Sequence, residues 1–221
     1  MSTTVKTRGR DPWIRVPATW GAYLRLCRAR GERANPRYTF VDGRLTIVSP
    51  GASHEFLRTR LSDLIGDLLV ALHIPYVPFG SVTLRLKDSV IRRGTEGDAC
   101  YYLSNIDRVR GKKKLIMGRD PAPDLMVETV VSHPVKDSLL VHASLGVREV
   151  WVCKESDLNF LVLGSDGTYY PQASSMLIPF LRTDDLEPWV YRMDQEDEGA
   201  LRRIFRRWVD DTLRPRRDLN H

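Results

Sequence analysis

The residue of this chain that most strongly suggests chemistry is Glu128, a carboxylate inside an otherwise apolar run. It separates Leu125-Met126-Val127 from Thr129-Val130-Val131. A carboxylate buried in such a run is costly unless it is paired, hydrogen-bonded or bound to a metal. Asp98 opens a second short apolar run, Ala99 to Leu103. Two carboxylates that meet at a sheet edge suit a magnesium ion, so we expect Asp98 and Glu128 to form a metal site, with a salt-bridged structural role for Glu128 as the alternative.

A third acid, Asp124, lies four residues before Glu128 on the same expected strand. Four residues of extended chain span roughly 13 Å, so the two carboxylates cannot bind one ion if the strand is regular. Asp124 is therefore expected to shape the loop after Pro123 or to cap the start of the strand.

Several enzyme classes lack their signatures in this sequence. There is no glycine-rich dinucleotide fingerprint, no P-loop, no HExxH pair and no GxSxG elbow, which argues against nucleotide cofactors, zinc proteolysis and serine hydrolysis. The histidines are not at metal-ligand spacing, and His142, on an apolar helix face, is expected to be a packed histidine.

The composition is that of one globular domain in a reducing compartment. The chain has 221 residues, of which 42% are hydrophobic and 28% charged, ordinary values for a folded protein. Neither a secretory signal nor an apolar run long enough to span a membrane is found. Cys27, Cys100 and Cys153 lack CxxC spacing, so we expect free thiols and a cytoplasmic location.

Positive charge is concentrated at the N-terminus. Residues 1–37 hold nine Lys and Arg against two acids. Such an arm can contact a phosphate backbone, although a solvated helix face has the same composition. DNA is therefore permitted as a partner by the charge pattern but is not required by it.

The elements that must position the acids follow from apolar spacing and turn residues. A helix is predicted after Pro17, a hairpin at Asp42-Gly43, a long helix over 53–73 and a strand over 82–86. Strand 124–131, helix 136–145 and strand 149–153 form a crossover unit, which implies two parallel strands. We expect a mixed α/β sheet with flanking helices, divided into a basic flexible arm (1–16), the main domain (17–183) and a helical extension packed on it (184–221).

Three ordered segments resemble one family. They are Glu96-Gly97-Asp98-Ala99-Cys100-Tyr101-Tyr102, Pro121-Ala122-Pro123-Asp124-Leu125-Met126-Val127-Glu128 and Gly146-Val147-Arg148-Glu149-Val150-Trp151. Together with the Asp42-Gly43 hairpin, Ser49-Pro50 and His54-Glu55, they resemble the Uma-two family of restriction endonucleases, within the PD-(D/E)XK nuclease superfamily. The resemblance covers about residues 20–183.

The resemblance implies a restriction-endonuclease-like fold and DNA cleavage that depends on Mg²⁺ or Mn²⁺. On this template Asp98 and Glu128 are metal ligands, and Glu55 is an additional acid. A lysine would orient the attacking water while the metal lowers the pKa of that water. A homodimer is expected by analogy with nucleases that cut both strands of a duplex.

The sequence departs from the family pattern at several positions. Gly97 stands where proline is usual, Thr39 replaces an acid, and Val130 occupies the lysine position of the (D/E)XK element. The alternative lysine position falls at Ser138. Lys136 is two residues earlier, about 200° around a helix, so it can serve only from the loop before the helix. A nuclease fold that binds nucleic acid or a protein partner without cleaving is therefore the alternative function.

Overall fold

The computed structural model describes residues 4–6, 11–87, 91–192 and 197–219. The strands are β1 Thr4–Lys6, β2 Trp13–Pro17, β3 Arg37–Val41, β4 Arg44–Val48, β5 Val77–Phe79, β6 Val82–Lys87, β7 Arg92–Gly97, β8 Ala99–Tyr102, β9 Leu125–Val130, β10 Glu149–Lys154, β11 Leu158–Leu163 and β12 Tyr169–Gln172. The helices are α1 Trp20–Arg30, α2 Ala52–Ala71, α3 Ile106–Val109, α4 Lys136–Leu145, α5 Thr183–Val190, α6 Glu198–Trp208 and α7 Arg214–Leu219, with a π-helical turn, Val209–Leu213, before α7.

The strands form two six-stranded sheets, where the sequence analysis expects one. The first sheet has the order β1-β2-β4-β3-β7-β6 and the second the order β12-β11-β10-β9-β8-β5. β9 and β10 pair in parallel across α4, which confirms the predicted crossover unit. The mixed α/β class with flanking helices is confirmed, and the second sheet is the correction.

Between β7 and β8 the chain passes from the first sheet to the second at a single residue. β7 ends at Gly97 and β8 begins at Ala99, so Asp98 alone joins them, and its amide donates to the Val127 carbonyl at 3.1 Å. The sequence does not predict β7, because Arg92–Gly97 has no apolar alternation. Without β7, nothing in the local pattern indicates a second sheet.

α2 fixes the second sheet to the rest of the molecule. Its leucines fall at the predicted helical spacing, and Leu61, Leu64 and Leu68 are fully buried. They share one hydrophobic cluster with Val127 and Trp151 of the second sheet. Burying each such side chain contributes about 1.5–3 kcal/mol, so the helix is held firmly while its first turn reaches the edge of the sheets.

Part of the N-terminal segment expected to be a flexible arm is strand in the structure. β2 pairs with β4 along its whole length. Just before it, Asp11 Oδ1 accepts from the Gly51 amide at 2.7 Å, and the Asp11 carbonyl accepts from the Ser132 hydroxyl at 2.6 Å. These bonds tie the segment to the start of α2 and to the loop after β9, whereas residues 1–3 and 7–10 lie outside the described residues.

The C-terminal helices pack on α2. Phe205, Val209 and Leu213 are fully buried and belong to the same cluster as the α2 leucines. Arg202 Nε donates to Asp67 Oδ2 of α2 at 2.6 Å. Among the described helices, none combines the length and the apolarity needed to cross a bilayer.

Each of the three cysteines is a free thiol, as the sequence predicts. Cys27, Cys100 and Cys153 are all buried. Burial raises the pKa of the Cys100 thiol to about 12, so it stays protonated at neutral pH and is a poor nucleophile.

Candidate active site

A narrow cleft lies where the first sheet, β9 and the first turns of α2 and α4 meet. It is lined by Arg37, Thr39, Thr46, Val48, Pro50, His54, Thr95, Glu96, Asp98, Glu128, Thr129, His133, Pro134, Asp137 and Ser138. Its volume is about 20 Å³, room for roughly one water-sized sphere. The cleft therefore brings together the two acids that the sequence analysis favours as ligands.

Asp98 is fully buried at the junction of the two sheets, with one oxygen hydrogen-bonded and the other in an ion pair. Oδ2 accepts from the Thr129 amide at 2.5 Å and lies 3.4 Å from His54 Nε2. Oδ1 forms an ion pair with Arg37 Nη1. One oxygen is thus held by the neighbouring strand and the other faces a cation.

Glu128 lies across the β8–β9 ladder from Asp98. Ala99 pairs with Val127 in an antiparallel ladder, so Asp98 lies opposite Glu128. Side chains opposite each other project on the same face. Glu128 is buried, and its Oε1 lies 2.5 Å from Nε2 of the fully buried His142. Oε2 forms no hydrogen bond with a described residue. His142 is therefore packed, as predicted, and it also orients a site carboxylate.

The first turn of α2 brings two neighbouring side chains to the site. His54 is 1% exposed, and burial, reinforced by nearby Arg37, lowers its pKa to about 3. Its imidazole is therefore neutral at pH 7. Glu55 is more exposed and pairs with Arg37 at 3.3 Å and with Arg58 at 2.8 Å. Within the described residues, no contact joins it to either of the two cleft acids.

The cation of the cleft is Arg37, which the sequence analysis did not identify. Tyr38 and Phe40 pack into a hydrophobic cluster with α1, and the alternation of β3 turns Arg37 and Thr39 to the cleft. Of the described residues that line the cleft, Arg37 is the only lysine or arginine. The sequence does carry one indication of this. Side chains alternate along a strand, so Arg37 lies on the same face as Thr39, the position where the family resemblance expects an acid.

The expected lysine lies outside the cleft. Lys136 is the first residue of α4, is exposed and does not line the cleft. Ser138 does line it, with its hydroxyl donating to the Val135 carbonyl at 2.9 Å. The structure therefore does not bring Lys136 together with the two acids, and no lysine of the described residues lines the cleft.

Two further acids have structural partners. Asp124 Oδ2 accepts from the amides of Leu103 and Ser104 at 2.7 and 2.9 Å, so it holds the loop that follows β8, whereas the sequence analysis expects it to shape the loop after Pro123 or to cap β9. Glu96, which the sequence analysis did not rank, lines the cleft and pairs with Arg30. Burial raises the pKa of Glu96 although Arg30 opposes that shift.

The donor set suits a hard divalent cation. Asp98 and Glu128 offer carboxylate oxygens, the ligands that Mg²⁺ and Mn²⁺ prefer. No group of three or more His, Cys, Asp or Glu side chains in the described part of the chain is arranged to hold an ion. Mg²⁺, however, usually binds through one or two carboxylates and keeps several waters, so a pair of acids is a sufficient protein contribution.

Comparisons with known proteins agree with this architecture. A family model described as "Uma2: Putative restriction endonuclease" matches residues 20–187, whereas no curated protein matches the chain. A crystal structure described as "a putative nuclease belonging to DUF820 from Anabaena variabilis ATCC 29413" is similar at a TM-score of 0.52, with 16% identity over 79% of this chain and 99% of that chain. At that identity the likeness shows the fold alone. Because the family model matches most of its length, the chain belongs to the Uma2 (Uma-two) family of restriction-endonuclease-like proteins.

Proposed function

We propose that this protein is a metal-dependent endonuclease that hydrolyses DNA phosphodiester bonds. The observation that carries the proposal is the convergence in one buried cleft of Asp98, which directly precedes β8, and Glu128 of the adjacent β9. Membership of a nuclease family supports the same reaction class. DNA as the substrate, Mg²⁺ or Mn²⁺ as the metal, a homodimer that cuts both strands and a cytoplasmic location are parts of this proposal.

In this reading Asp98 and Glu128 would hold the ion. The ion would act as a Lewis acid that lowers the pKa of a bound water and neutralises phosphate charge. The chain's own contribution is orientation: the Thr129 amide fixes Asp98, and His142 fixes Glu128. Neutral His54 adds a polar ring beside Asp98 without adding positive charge.

A second candidate function is a nuclease fold that binds nucleic acid without cutting it. It is favoured by the lysine positions: Val130 and Ser138 lack the amine that the family resemblance implies, and Lys136 lies outside the cleft. Arg37 is the remaining cation of the cleft and is paired with Asp98. If the protein cleaves DNA without a lysine in the cleft, Arg37 would have to supply the positive charge.

A plasmid-cleavage assay with Mg²⁺ and with Mn²⁺ tests the proposal. We expect nicking or linearisation by the wild type, loss of cutting in Glu128→Gln, and wild-type cutting in the control Asp107→Asn, whose side chain is 88% exposed. DNA binding should persist in Glu128→Gln, because the substitution leaves basic residues unchanged.

The outcomes separate the two candidates. Folded wild-type protein that cuts no substrate but binds DNA more weakly at about 200 mM than at about 50 mM salt would support the binding protein. Binding without salt dependence would contradict both, since phosphate contacts release counterions.

A further inference from the structure

Arg37 lies between Asp98 and Glu55, two acids that the family resemblance places at the same metal site. Its Nη1 forms an ion pair with Asp98 Oδ1, and its Nη2 lies 3.3 Å from Glu55 Oε1. One guanidinium therefore holds a buried acid with one arm and a half-exposed acid with the other, a geometry that its planar fork permits.

The partners of Asp98 leave one oxygen for a cation. Oδ2 accepts from the Thr129 amide at 2.5 Å and has His54 Nε2 at 3.4 Å. Oδ1 is the oxygen that Arg37 contacts. A divalent ion held by Asp98 would therefore compete with Arg37 for the same atom, because two cations repel each other strongly at such close range.

Arg37 is buried and must keep a counter-charge. It is 7% exposed, and burial lowers its pKa although Glu55 and Glu128 oppose that shift. Leaving a buried charge unpaired is strongly unfavourable. Glu55 already contacts it and also accepts from Arg58 Nε at 2.8 Å, so an acid is in place to hold Arg37 when Asp98 is taken.

We propose that Arg37 is a latch that pairs with Asp98 in the metal-free protein and passes to Glu55 when a divalent cation binds Asp98. This inference rests on the proposed function and refines it. Glu55 becomes the acceptor of the displaced arginine rather than a third ligand. The latch keeps a buried carboxylate neutralised in both states.

Calorimetric titration of metal-free protein with Mn²⁺ tests the latch without measuring cleavage. Arg37→Gln should bind Mn²⁺ about tenfold more tightly than the wild type, since a competitor is removed, and Glu55→Gln should bind it more weakly, since the displaced arginine loses its acceptor. The double variant should match Arg37→Gln. Asp63→Asn, a half-exposed acid farther along α2, should bind as the wild type does.

The double-mutant comparison separates the latch from a ligand role for Glu55. If Glu55→Gln weakens Mn²⁺ binding equally with and without Arg37, then Glu55 is a ligand and the latch is wrong. Unchanged or weaker binding by folded Arg37→Gln would also overturn it. If Arg37→Gln does not fold, the comparison is repeated in Arg37→Lys, because a single ammonium cannot span both acids and the effect of Glu55→Gln should again disappear.

The same titration distinguishes failure of the latch from failure of the proposed function. A wild type that binds Mn²⁺ and cuts DNA, with an Arg37→Gln variant of unchanged affinity, overturns the latch alone. No Mn²⁺ binding by either protein overturns both. Mn²⁺ binding that appears only in Arg37→Gln supports the latch and explains an inactive wild type.

Discussion

His142 shows how the site depends on a residue that would not touch the metal. Its Nε2 lies 2.5 Å from Glu128 Oε1, and its ring is fully buried. Partners of this kind fix the orientation of a ligand, and their loss typically costs about 10–100-fold in metal affinity. Packing alone would be preserved by any ring of similar size.

We therefore expect His142→Phe to bind Mn²⁺ about 10–100-fold more weakly than the wild type. His142→Gln should recover part of the affinity, because its amide can again donate to Glu128. Calorimetric titration measures both, with thermal unfolding as the check on folding. Equal affinities for His142→Phe and the wild type would show that His142 only fills space.

Lys136 gives the opposite expectation at the same scale. It is exposed at the start of α4 and does not line the cleft. Lys136→Ala should therefore change the cleavage rate by less than about threefold, and the free energy of unfolding by less than about 0.5 kcal/mol. A large loss of cutting with unchanged stability would show instead that Lys136 reaches the bound substrate.

At the scale of elements, α2 is held to the C-terminal helices by a buried acid. Asp67 is 2% exposed and accepts from Arg202 and Arg206 of α6. Burial raises the pKa of Asp67, but the hydrogen bonds from the two arginines outweigh it and the pKa is lowered overall. Asp63, one turn earlier, also reaches Arg202, at 3.1 Å, but is half-exposed.

Asp67→Asn should lower the free energy of unfolding by about 2 kcal/mol, less than a fully buried pair would lose because both arginines are partly exposed. Asp63→Asn should cost less than about 0.5 kcal/mol. Urea denaturation of the two variants makes the comparison. Similar losses of unfolding free energy at both positions would mean that burial of the carboxylate does not determine how much it stabilises the fold.

The elements differ in how far the sequence determines them. α1, α2, α4 and the β3–β4 hairpin could be predicted because their signals are local: apolar spacing, a glycine at a helix end and an Asp-Gly turn. β7 could not be predicted, because Arg92–Gly97 consists of polar residues and glycines. It forms a strand only through its pairing with β3 and β6.

The candidate site can likewise be predicted from the sequence only in part. Asp98 and Glu128 stood out as acids in apolar runs, and both line the cleft. Arg37 could not be found by that argument, because a charged residue at a strand start is ordinary until the neighbouring sheet buries it. Family resemblance alone favours Lys136, and helix geometry at the start of α4 turns it outward.

At the scale of the whole molecule, the buried histidine of the cleft makes stability depend on pH. Burial, with Arg37, His133 and Arg58 nearby, lowers the pKa of His54 to about 3 from an ordinary 6.5. Asp98 and Glu55 face the same ring. The unfolded chain therefore binds a proton below about pH 6.5 that the folded chain does not bind until about pH 3.

This stabilisation is fully present above pH 6.5 and is lost as the pH falls towards 3, by up to about 1.4 kcal/mol per pH unit. His54→Asn should therefore lose less stability than the wild type between about pH 6.5 and about pH 4.5. Thermal unfolding across that range measures the difference. The exposed His73 provides the control, since His73→Asn should follow the wild-type profile.

The single-residue junction between β7 and β8 restricts how this protein can diverge. β8 alternates between two cores, with Ala99 and Tyr101 in the cluster beneath α2 and Cys100 and Tyr102 in a second cluster that also contains Met126 of β9 and Leu84 of β6. Inserting or deleting one residue beside Asp98 would exchange these faces. Length variation among related chains should therefore accumulate in loops and be selected against between Gly97 and Ala99.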